Sequence, residues 1–224
     1  KRSVEYLNST ILSKEVFPVQ SHLLELKKML DQGRFQDVVA RSKTLPSQLN
    51  NDPLALNIIA AAFKAIGNLD EAILRYKMAI EINPDFVEAY NNLGTTLMSK
   101  GDLGSAEDCL KIALEKRPDY SLAHNNLGLV LADLGKEREA LDCYLAAIEL
   151  SPDFSSAHDN LGNLYSRLGH HKKAINHYEE AIRKDSRNAS ALNNLGTLLK
   201  ELGRNEEARR RYEIAISVVP DFAE

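Results

Sequence analysis

Residues 87–120 read VEAYNNLGTTLMSKGDLGSAEDCLKIALEKRPDY, and the same pattern returns four more times at a spacing of 34 residues. The five copies occupy residues 53–86, 87–120, 121–154, 155–188 and 189–222, with no insertion or deletion between them. A fixed period of this length is typical of repeat arrays, in which each unit packs mainly against its neighbours.

The first half of each copy predicts a helix with one apolar face. In residues 87–120 this face carries Tyr90, Leu93 and Leu97, which recur at steps of three and four residues, with Gly94 beside them. At about 100° per residue, such steps place side chains on one side of an α-helix.

The second half of each copy predicts another helix that packs closely against the first. It carries a small, a large and a small residue, which are Ala106, Leu110 and Ala113 in this copy. Alanine lets two helix backbones approach closely while the large residue fills the gap. Gly101 lies between the helices, where a helix end can adopt a positive φ. A proline ends the second helix in every copy but the fourth, which has Ser186.

This combination of period, residue types and order resembles the tetratricopeptide repeat family, whose signature matches residues 90–118 with conservative substitutions. The match covers residues 53–222. The resemblance implies an all-α fold, an α-solenoid with a right-handed superhelix of antiparallel helix pairs. It also implies that the first helices line a concave surface that binds peptides or proteins.

The ends of the chain depart from the pattern. Residues 19–52 are interpreted as a degenerate sixth copy, in which Pro46 comes early. Residues 1–18 do not fit the repeat and are expected to form a cap over the first helix pair or a linker. Residues 223–224 look like the start of a further, truncated copy. We therefore expect the native polypeptide to continue, or another copy of the chain to cover this end.

Composition excludes several classes of protein. The chain has 28 Lys and Arg against 32 Asp and Glu, a net charge of −4, so we expect no nucleic-acid partner, since such proteins normally carry a basic stripe. No apolar segment is long enough to span a bilayer. Cys109 and Cys143 lie one repeat apart and are interpreted as small helix residues rather than a disulfide. A cytoplasmic or other reducing intracellular location is therefore expected.

No catalytic, metal or cofactor motif is found, so the segment is predicted not to be an enzyme and to need no cofactor. His124 and His158 occupy the aromatic place of the first helix and are interpreted as core or interface residues. His170, His171 and His177 cluster around one turn but lack the cysteines and carboxylates of a good zinc site.

Two neighbouring polar positions recur on the first helices. One holds Asn92, Asn126, Asn160 and Asn194, and the other holds Asn57, Asn91, Asn125, Asp159 and Asn193. Helical geometry predicts that the first row points well away from the apolar stripe and that the second lies on its shoulder, which gives a double polar track. An Asn side chain carries a donor and an acceptor side by side, so it can pair with one peptide unit of an extended ligand.

The arrangement is similar to the asparagine ladder in the repeat domain of the O-linked N-acetylglucosamine transferase. In the alternative interpretation, these residues simply bond to a neighbouring helix. The charged groups of the inner wall are scattered and have no dominant sign: Lys64, Asp133, Arg167, Lys200 and Glu201. The carboxylate clamp of chaperone-binding family members is absent at the matching places.

The leading hypothesis is a non-catalytic scaffold that binds an extended peptide segment of a protein partner through these asparagines. An alternative is the N-terminal substrate-recognition domain of a larger enzyme, of glycosyltransferase or sulfotransferase type, because residues 23–73 look like the openings of such proteins. A further alternative is a module that associates with itself end to end through uncapped repeats.

Overall fold

The computed structural model describes residues 20–218, and all regular structure in this range is helical. The helices are α1 (20–31), α2 (Phe35–Ser42), α3 (Pro53–Ala65), α4 (Leu69–Ile82), α5 (Val87–Lys100), α6 (Leu103–Lys116), α7 (Ser121–Asp133), α8 (Glu137–Leu150), α9 (Ser155–Arg167), α10 (His171–Lys184), α11 (Ala189–Glu201) and α12 (Asn205–Val218). A 3₁₀ turn, Ser47–Leu49, precedes α3. The all-α prediction is therefore confirmed.

The chain divides into two compact units, Lys1–Lys116 and Arg117–Glu224. In the first unit α3 packs against α4 and α5 against α6, while α5 also packs on α4. In the second unit the pairs are α7 with α8, α9 with α10, and α11 with α12, and each new pair packs on the one before it. Each unit is thus a stack of helix pairs, as the solenoid prediction requires.

Glycine ends the first helices. Gly101 follows α5 with φ 88° and ψ 2°, and its N–H group bonds to the Met98 carbonyl oxygen at 2.9 Å. A residue with a Cβ would be strained in this left-handed conformation. The turn glycines of the other pairs also have positive φ, so the same cap recurs once per pair.

The close approach of paired helices depends on a second glycine and a large residue opposite it. Tyr144 on α8 is 1% exposed and lies against Gly128 on α7, where an added Cβ would be 2.6 Å from the ring. Gly162 and Tyr178 have the same relation, also at 2.6 Å. The large residue therefore occupies the space that the missing side chain leaves, as the small–large–small pattern predicts.

The second helices do not need proline in order to end. Helix α10 ends at Lys184, in register with Leu150 at the end of α8, although Ser186 stands where α8 is followed by Pro152. Asp185 leaves the helix in an extended conformation, and its N–H group still bonds to the Ala181 carbonyl oxygen at 2.9 Å. A second helix of this array thus ends at the same place with serine instead of proline.

The first described pair is smaller than the others. Helix α2 has 8 residues against 14 in α4, because Pro46 follows it closely. Leu26 and Val38 bury their side chains in one cluster with Ile59 of α3, so the pair still covers the next one. The cap or linker predicted for residues 1–18 and the truncated copy at 223–224 lie outside the described residues.

Candidate functional site

The recurring asparagines lie on the first helices, and we name the two rows separately. The amide row consists of Asn92, Asn126, Asn160 and Asn194. The acceptor row consists of Asn57, Asn91, Asn125, Asp159 and Asn193. Asn92, Asn160 and Asn194 are partly exposed, whereas Asn126 is 9% exposed.

The acceptor row is more buried than a position on the shoulder of the helix suggests. Asn91, Asn125 and Asp159 are between 2% and 5% exposed. Asn57 is partly buried, and Asn193 is exposed on α11, the last first helix of the described range. In the second unit the next first helix covers Asn125 and Asp159. Most of the expected double track is therefore a single, partly exposed row over a buried one.

Hydrogen bonds join the two rows from one helix pair to the next. In each, the Nδ2 atom of an amide-row residue donates to an Oδ1 atom 35 residues earlier: Asn92 to Asn57 at 3.0 Å, Asn160 to Asn125 at 2.9 Å, and Asn194 to Asp159 at 3.0 Å. The alternative interpretation, a bond to the neighbouring helix, is thus part of the structure. These bonds use only part of the hydrogen-bonding capacity of each side chain.

Asp159 establishes which way the amides point. An ionised carboxylate only accepts hydrogen bonds, so Asn194 must present its N–H₂ group to Asp159 and turn its own Oδ1 atom away. Ser190 also donates to Asp159, at 2.7 Å. Burial raises the pKa of Asp159, and the bonds from Ser190 and Asn194 lower it, with burial the largest effect.

The amide row retains free acceptors in the second unit. Within residues 20–218, the Oδ1 atoms of Asn160 and Asn194 accept no hydrogen bond from the protein. Both side chains are held by their Nδ2 atoms, so the free oxygens are pre-oriented. Such an oxygen can accept a peptide N–H of a ligand with little loss of side-chain entropy.

Two depressions adjoin the amide row in the second unit. One, of about 180 Å³, lies between α7 and α9 and includes Asn160, Tyr144 and Asp133 in its wall. The other, of about 300 Å³, lies between α9 and α11 and includes Asn194 and Glu201. Asn163 and Arg167 line both, so the two depressions are adjacent.

Sequence reasoning did not find the hydrogen bonds that form the floor of this face. The Tyr178 hydroxyl donates to Asn163 Oδ1 at 2.8 Å, and the next pair repeats the contact between Thr197 and Tyr212 at 3.1 Å. Burial raises the pKa of Tyr178 to about 12. The sequence does contain a signal for these contacts. A polar residue, Asn163 or Thr197, follows the amide-row residue of these two helix pairs by three positions, and a tyrosine follows that polar residue by 15.

The first unit presents a smaller polar face. Lys64 on α3 donates to the Thr95 hydroxyl on α5 at 2.7 Å, beside the bond between Asn92 and Asn57. Burial lowers the pKa of Lys64. One of the charged groups on the inner wall is therefore already used between helix pairs.

The histidines lie in two different places. His158 is 7% exposed, and its Nδ1 atom is 3.2 Å from His177 Nδ1; Tyr165 stacks on His177 with a centroid distance of 5.5 Å. His124 bonds to the Pro118 carbonyl oxygen at 2.9 Å. Residues 20–218 contain no group of three or more His, Cys, Asp or Glu that could hold a metal ion.

A cavity larger than these two depressions shares no residue with the amide row. It has a volume of about 590 Å³ and lies at the turns around His170 and Leu202. Its position between turns, with no paired acid and base that would suggest catalysis, makes it a weaker candidate site than the amide row.

None of the described helices is long and apolar enough to cross a membrane.

Family models match most of the repeated region. One described as TPR repeat matches residues 60–101, and three described as tetratricopeptide repeat match residues 87–120, 119–187 and 160–216. Among curated proteins, none matches this chain in sequence.

Solved structures with similar folds include three that match most of the chain. MamA is 27% identical, with a TM-score of 0.61 over 74% of this chain and 96% of its own. TTC0263 of Thermus thermophilus, described as a thermophilic TPR protein, is 22% identical, with a TM-score of 0.69 over 75% of this chain and 92% of its own. YrrB, described as a TPR protein with an unusual peptide-binding site, is 22% identical, with a TM-score of 0.54 over 84% of this chain and 93% of its own. At these identities the last two show a shared fold.

Proposed function

Since this chain is a tetratricopeptide repeat protein, we propose that it is a non-catalytic scaffold that binds an extended segment of a partner protein. The observation that carries the proposal is the pair of free, pre-oriented Oδ1 atoms on Asn160 and Asn194. The bound segment lies along the first helices, and its peptide N–H groups donate to these oxygens. We include in this proposal that the amide row acts as an asparagine ladder.

The two rows have different roles in this proposal. Asn160 and Asn194 of the amide row contact the ligand, whereas the buried Asn125 and Asp159 orient them from behind. Asn193 is exposed and is free to contact the ligand directly. Contacts to the peptide backbone do not depend on ligand side chains, so the amide row provides affinity with loose sequence preference.

The two depressions receive ligand side chains. Their volumes, about 180 Å³ and 300 Å³, lie at or below the lower limit of the roughly 300–1,000 Å³ typical of pockets for whole small molecules. They suit single side chains that project from a bound strand on either side of Arg167.

The test uses peptides of about ten residues, long enough to pass three helix pairs at roughly 3.3 Å per residue. Peptides are selected by the purified chain from a random display library, and their affinity is measured by fluorescence anisotropy. We expect the double variant Asn160→Ala, Asn194→Ala to bind them about thirtyfold more weakly, because two lost hydrogen bonds of about 1 kcal/mol each amount to about 2 kcal/mol. N-methylation of the peptide backbone should have a similar effect, since it removes the donors.

The matched control is Asn176→Ala, an exposed asparagine on α10 away from the amide row. Its affinity should equal that of the unchanged chain. Circular dichroism establishes that each variant is folded. Equal affinity of the double variant and the control would exclude the amide row as the binding surface.

A second candidate function is self-association through α12. Ile216 is 57% exposed and borders a depression of about 440 Å³ with Tyr212. At the equivalent position of α4, Ile80 packs into a core cluster with Ala89 of the following helix α5. A second copy of the chain that covers α12 would bury Ile216 in the same way.

Sedimentation velocity over a range of concentrations tests this second function. We expect the mass to rise with concentration and Ile216→Asp to abolish the rise. Leu145→Asp is the control, since Leu145 is an exposed leucine on α8. A constant monomer mass at high concentration would exclude self-association.

A further inference from the structure

The first helices of the second unit end in charged residues whose sign alternates from one helix pair to the next. Asp133, Arg167 and Glu201 are the last residues of α7, α9 and α11, and all three are exposed. Each lines a depression beside the amide row: Asp133 the smaller one, Glu201 the larger one, and Arg167 both. Successive helix pairs therefore present a negative, a positive and a negative group at equivalent places.

The central charge is held in position. Arg167 Nη2 donates to the Ala132 carbonyl oxygen at 3.2 Å, across the gap between α9 and α7. Its nearest carboxylate is that of Glu137 at 3.8 Å, and the two side chains are 50% and 44% exposed. An exposed ion pair at this distance contributes little free energy. Most of the hydrogen-bonding capacity of the guanidinium group thus remains for a ligand.

The two carboxylates are not used by the fold. Within the described range, Asp133 and Glu201 form no hydrogen bond or ion pair with the protein. Asp133 and Arg167 lie with Tyr144 in the wall of the smaller depression, and Arg167 and Glu201 lie with Tyr178 in the wall of the larger one. The three charges therefore border the tyrosines in the floor of this face.

We propose that this face selects an extended segment with the charge order basic, acidic, basic. The inference rests on the proposed function and names its ligand class. The acidic side chain pairs with Arg167, and the basic side chains pair with Asp133 and Glu201 through charge-assisted hydrogen bonds. Neighbouring packed helices are roughly 8–10 Å apart. A segment in the polyproline II conformation rises about 3.1 Å per residue and makes one turn every three residues, so charges about three residues apart lie on the same side of the segment.

The charge order is symmetrical, so it is the same for either direction of the bound segment. A segment with the order acidic, basic, acidic would place like charges together at all three positions. The three charges therefore repel such segments as well as attract those with the order basic, acidic, basic. The amide row thus supplies affinity, and the three charges supply the choice among extended segments.

The experiment compares two labelled peptides of the same composition. Both carry two lysines and one glutamate about three residues apart among uncharged residues, one in the order Lys–Glu–Lys and the other in the order Lys–Lys–Glu. We expect the first to bind about tenfold more tightly in fluorescence anisotropy at low salt, because only this order pairs all three charges. Added salt should reduce the difference.

Two variants assign the preference to the central charge. Arg167→Gln should reduce the difference between the peptides to about threefold, because Asp133 and Glu201 still distinguish them. Arg187→Gln, an equal loss of charge on an exposed turn residue, should leave the difference unchanged. A difference that Arg167→Gln does not alter would overturn the role of Arg167.

The failure of this inference is distinguishable from that of the proposed function. Equal affinities for the two peptides, both reduced by Asn160→Ala with Asn194→Ala, would overturn the charge order and leave the binding function in place. Binding of neither peptide would also overturn the charge order. The binding function fails only if the library-selected peptides are insensitive to the same double variant.

Discussion

At the level of single residues, Asp159 shows how the hydrogen bonds between helix pairs are directed. Its carboxylate receives Asn194 at 3.0 Å and Ser190 at 2.7 Å. In the preceding step Asn125 accepts from Asn160 at 2.9 Å. One position on the helix thus acts as an acceptor whether it is amide or carboxylate. In Asn160 and Asn194 the Nδ2 atom is therefore held by this bond, and the Oδ1 atom stays free.

Replacement of Asp159 separates its acceptor role from its charge. Asp159→Leu should lower the free energy of unfolding by about 1–3 kcal/mol, because Asn194 and Ser190 lose their buried acceptor. Asp159→Asn keeps an acceptor and removes a charge whose burial is unfavourable, as its raised pKa indicates. This variant should be as stable as the unchanged chain or more so at neutral pH.

Urea unfolding at pH 7 followed by circular dichroism measures both variants. The sign follows from linkage: a folded carboxyl group with a raised pKa binds protons more readily than the unfolded chain, so it destabilises the fold as pH rises. A loss of stability in Asp159→Asn as large as in Asp159→Leu would contradict the acceptor role.

At the level of helices, the paired helices approach closely because a glycine faces a large side chain. Gly162 lies against Tyr178, whose ring cannot move freely because its hydroxyl bonds to Asn163 at 2.8 Å. The same helix pair contains His158 and His177, packed together with Tyr165. The packing of α9 against α10 is therefore sensitive to an added methyl group at Gly162. The same packing is sensitive to protonation of His158 and His177.

Gly162→Ala should destabilise the chain by about 1–3 kcal/mol, because the new Cβ would lie 2.6 Å from the Tyr178 ring. Gly104→Ala is the control: nothing lies within 4 Å of its Cβ position on α6, so the change should stabilise by up to about 1 kcal/mol. Urea unfolding measures both. Equal effects of the two substitutions would show that close approach is not the cause.

The His158 and His177 pair predicts a loss of stability in mild acid. Burial is the main cause that lowers the pKa of both, and His158 also lowers the pKa of His177; Glu180 opposes this effect, while Lys184 and Lys173 add to it. The unfolded chain then binds more protons below the ordinary pKa of about 6.5. The contribution of the neutral histidines to stability is fully present above that pH. The free energy of unfolding decreases as pH falls below it, by at most about 1.4 kcal/mol per pH unit for each additional proton.

Thermal unfolding between about pH 7.5 and pH 5 checks this dependence. His158→Phe should flatten it, because phenylalanine fills a similar space and does not titrate. His171→Phe, at an exposed position on α10, is the control and should leave the slope unchanged. An equal slope in the His158→Phe variant would contradict the role of the pair.

At the level of the whole molecule, stability is a sum of neighbouring contacts. The chain divides into two compact units, and within each unit a helix pair packs mainly on the pairs beside it. In such an array a local loss of stability affects the nearest pairs most. Stability is therefore expected to vary along the chain instead of collapsing in one transition.

Hydrogen exchange measured by mass spectrometry tests this expectation on Gly162→Ala. Amides of α9 and α10 should exchange faster, by about tenfold for each 1.4 kcal/mol lost. Those of α3 and α4 in the first unit should change little. A uniform increase along residues 20–218 would instead show a single cooperative molecule.

The pattern of residues was sufficient to predict the helices, their pairing and their period. The steps between Tyr90, Leu93 and Leu97, the turn glycine at Gly101 and the small residues of the second helix all act within one helix pair. Such information is local, so five similar copies make it unambiguous. The departure at Ser186, which the pattern already showed, did not move the helix end, since α10 ends at Lys184.

Tertiary packing decided how deeply two adjacent polar residues are buried. Asp159 stands where the other copies have asparagine, and it is buried, while Asn160 beside it is partly exposed. Neighbours in sequence lie about 100° apart on a helix, so the pattern places Asp159 nearer the apolar stripe, but the position of the next helix pair determines how much of each residue is covered. The contact of Tyr178 with Asn163 and the convergence of Asp133 and Arg167 on one face have the same origin. They join side chains from different helices, whose distances depend on how closely the backbones pack.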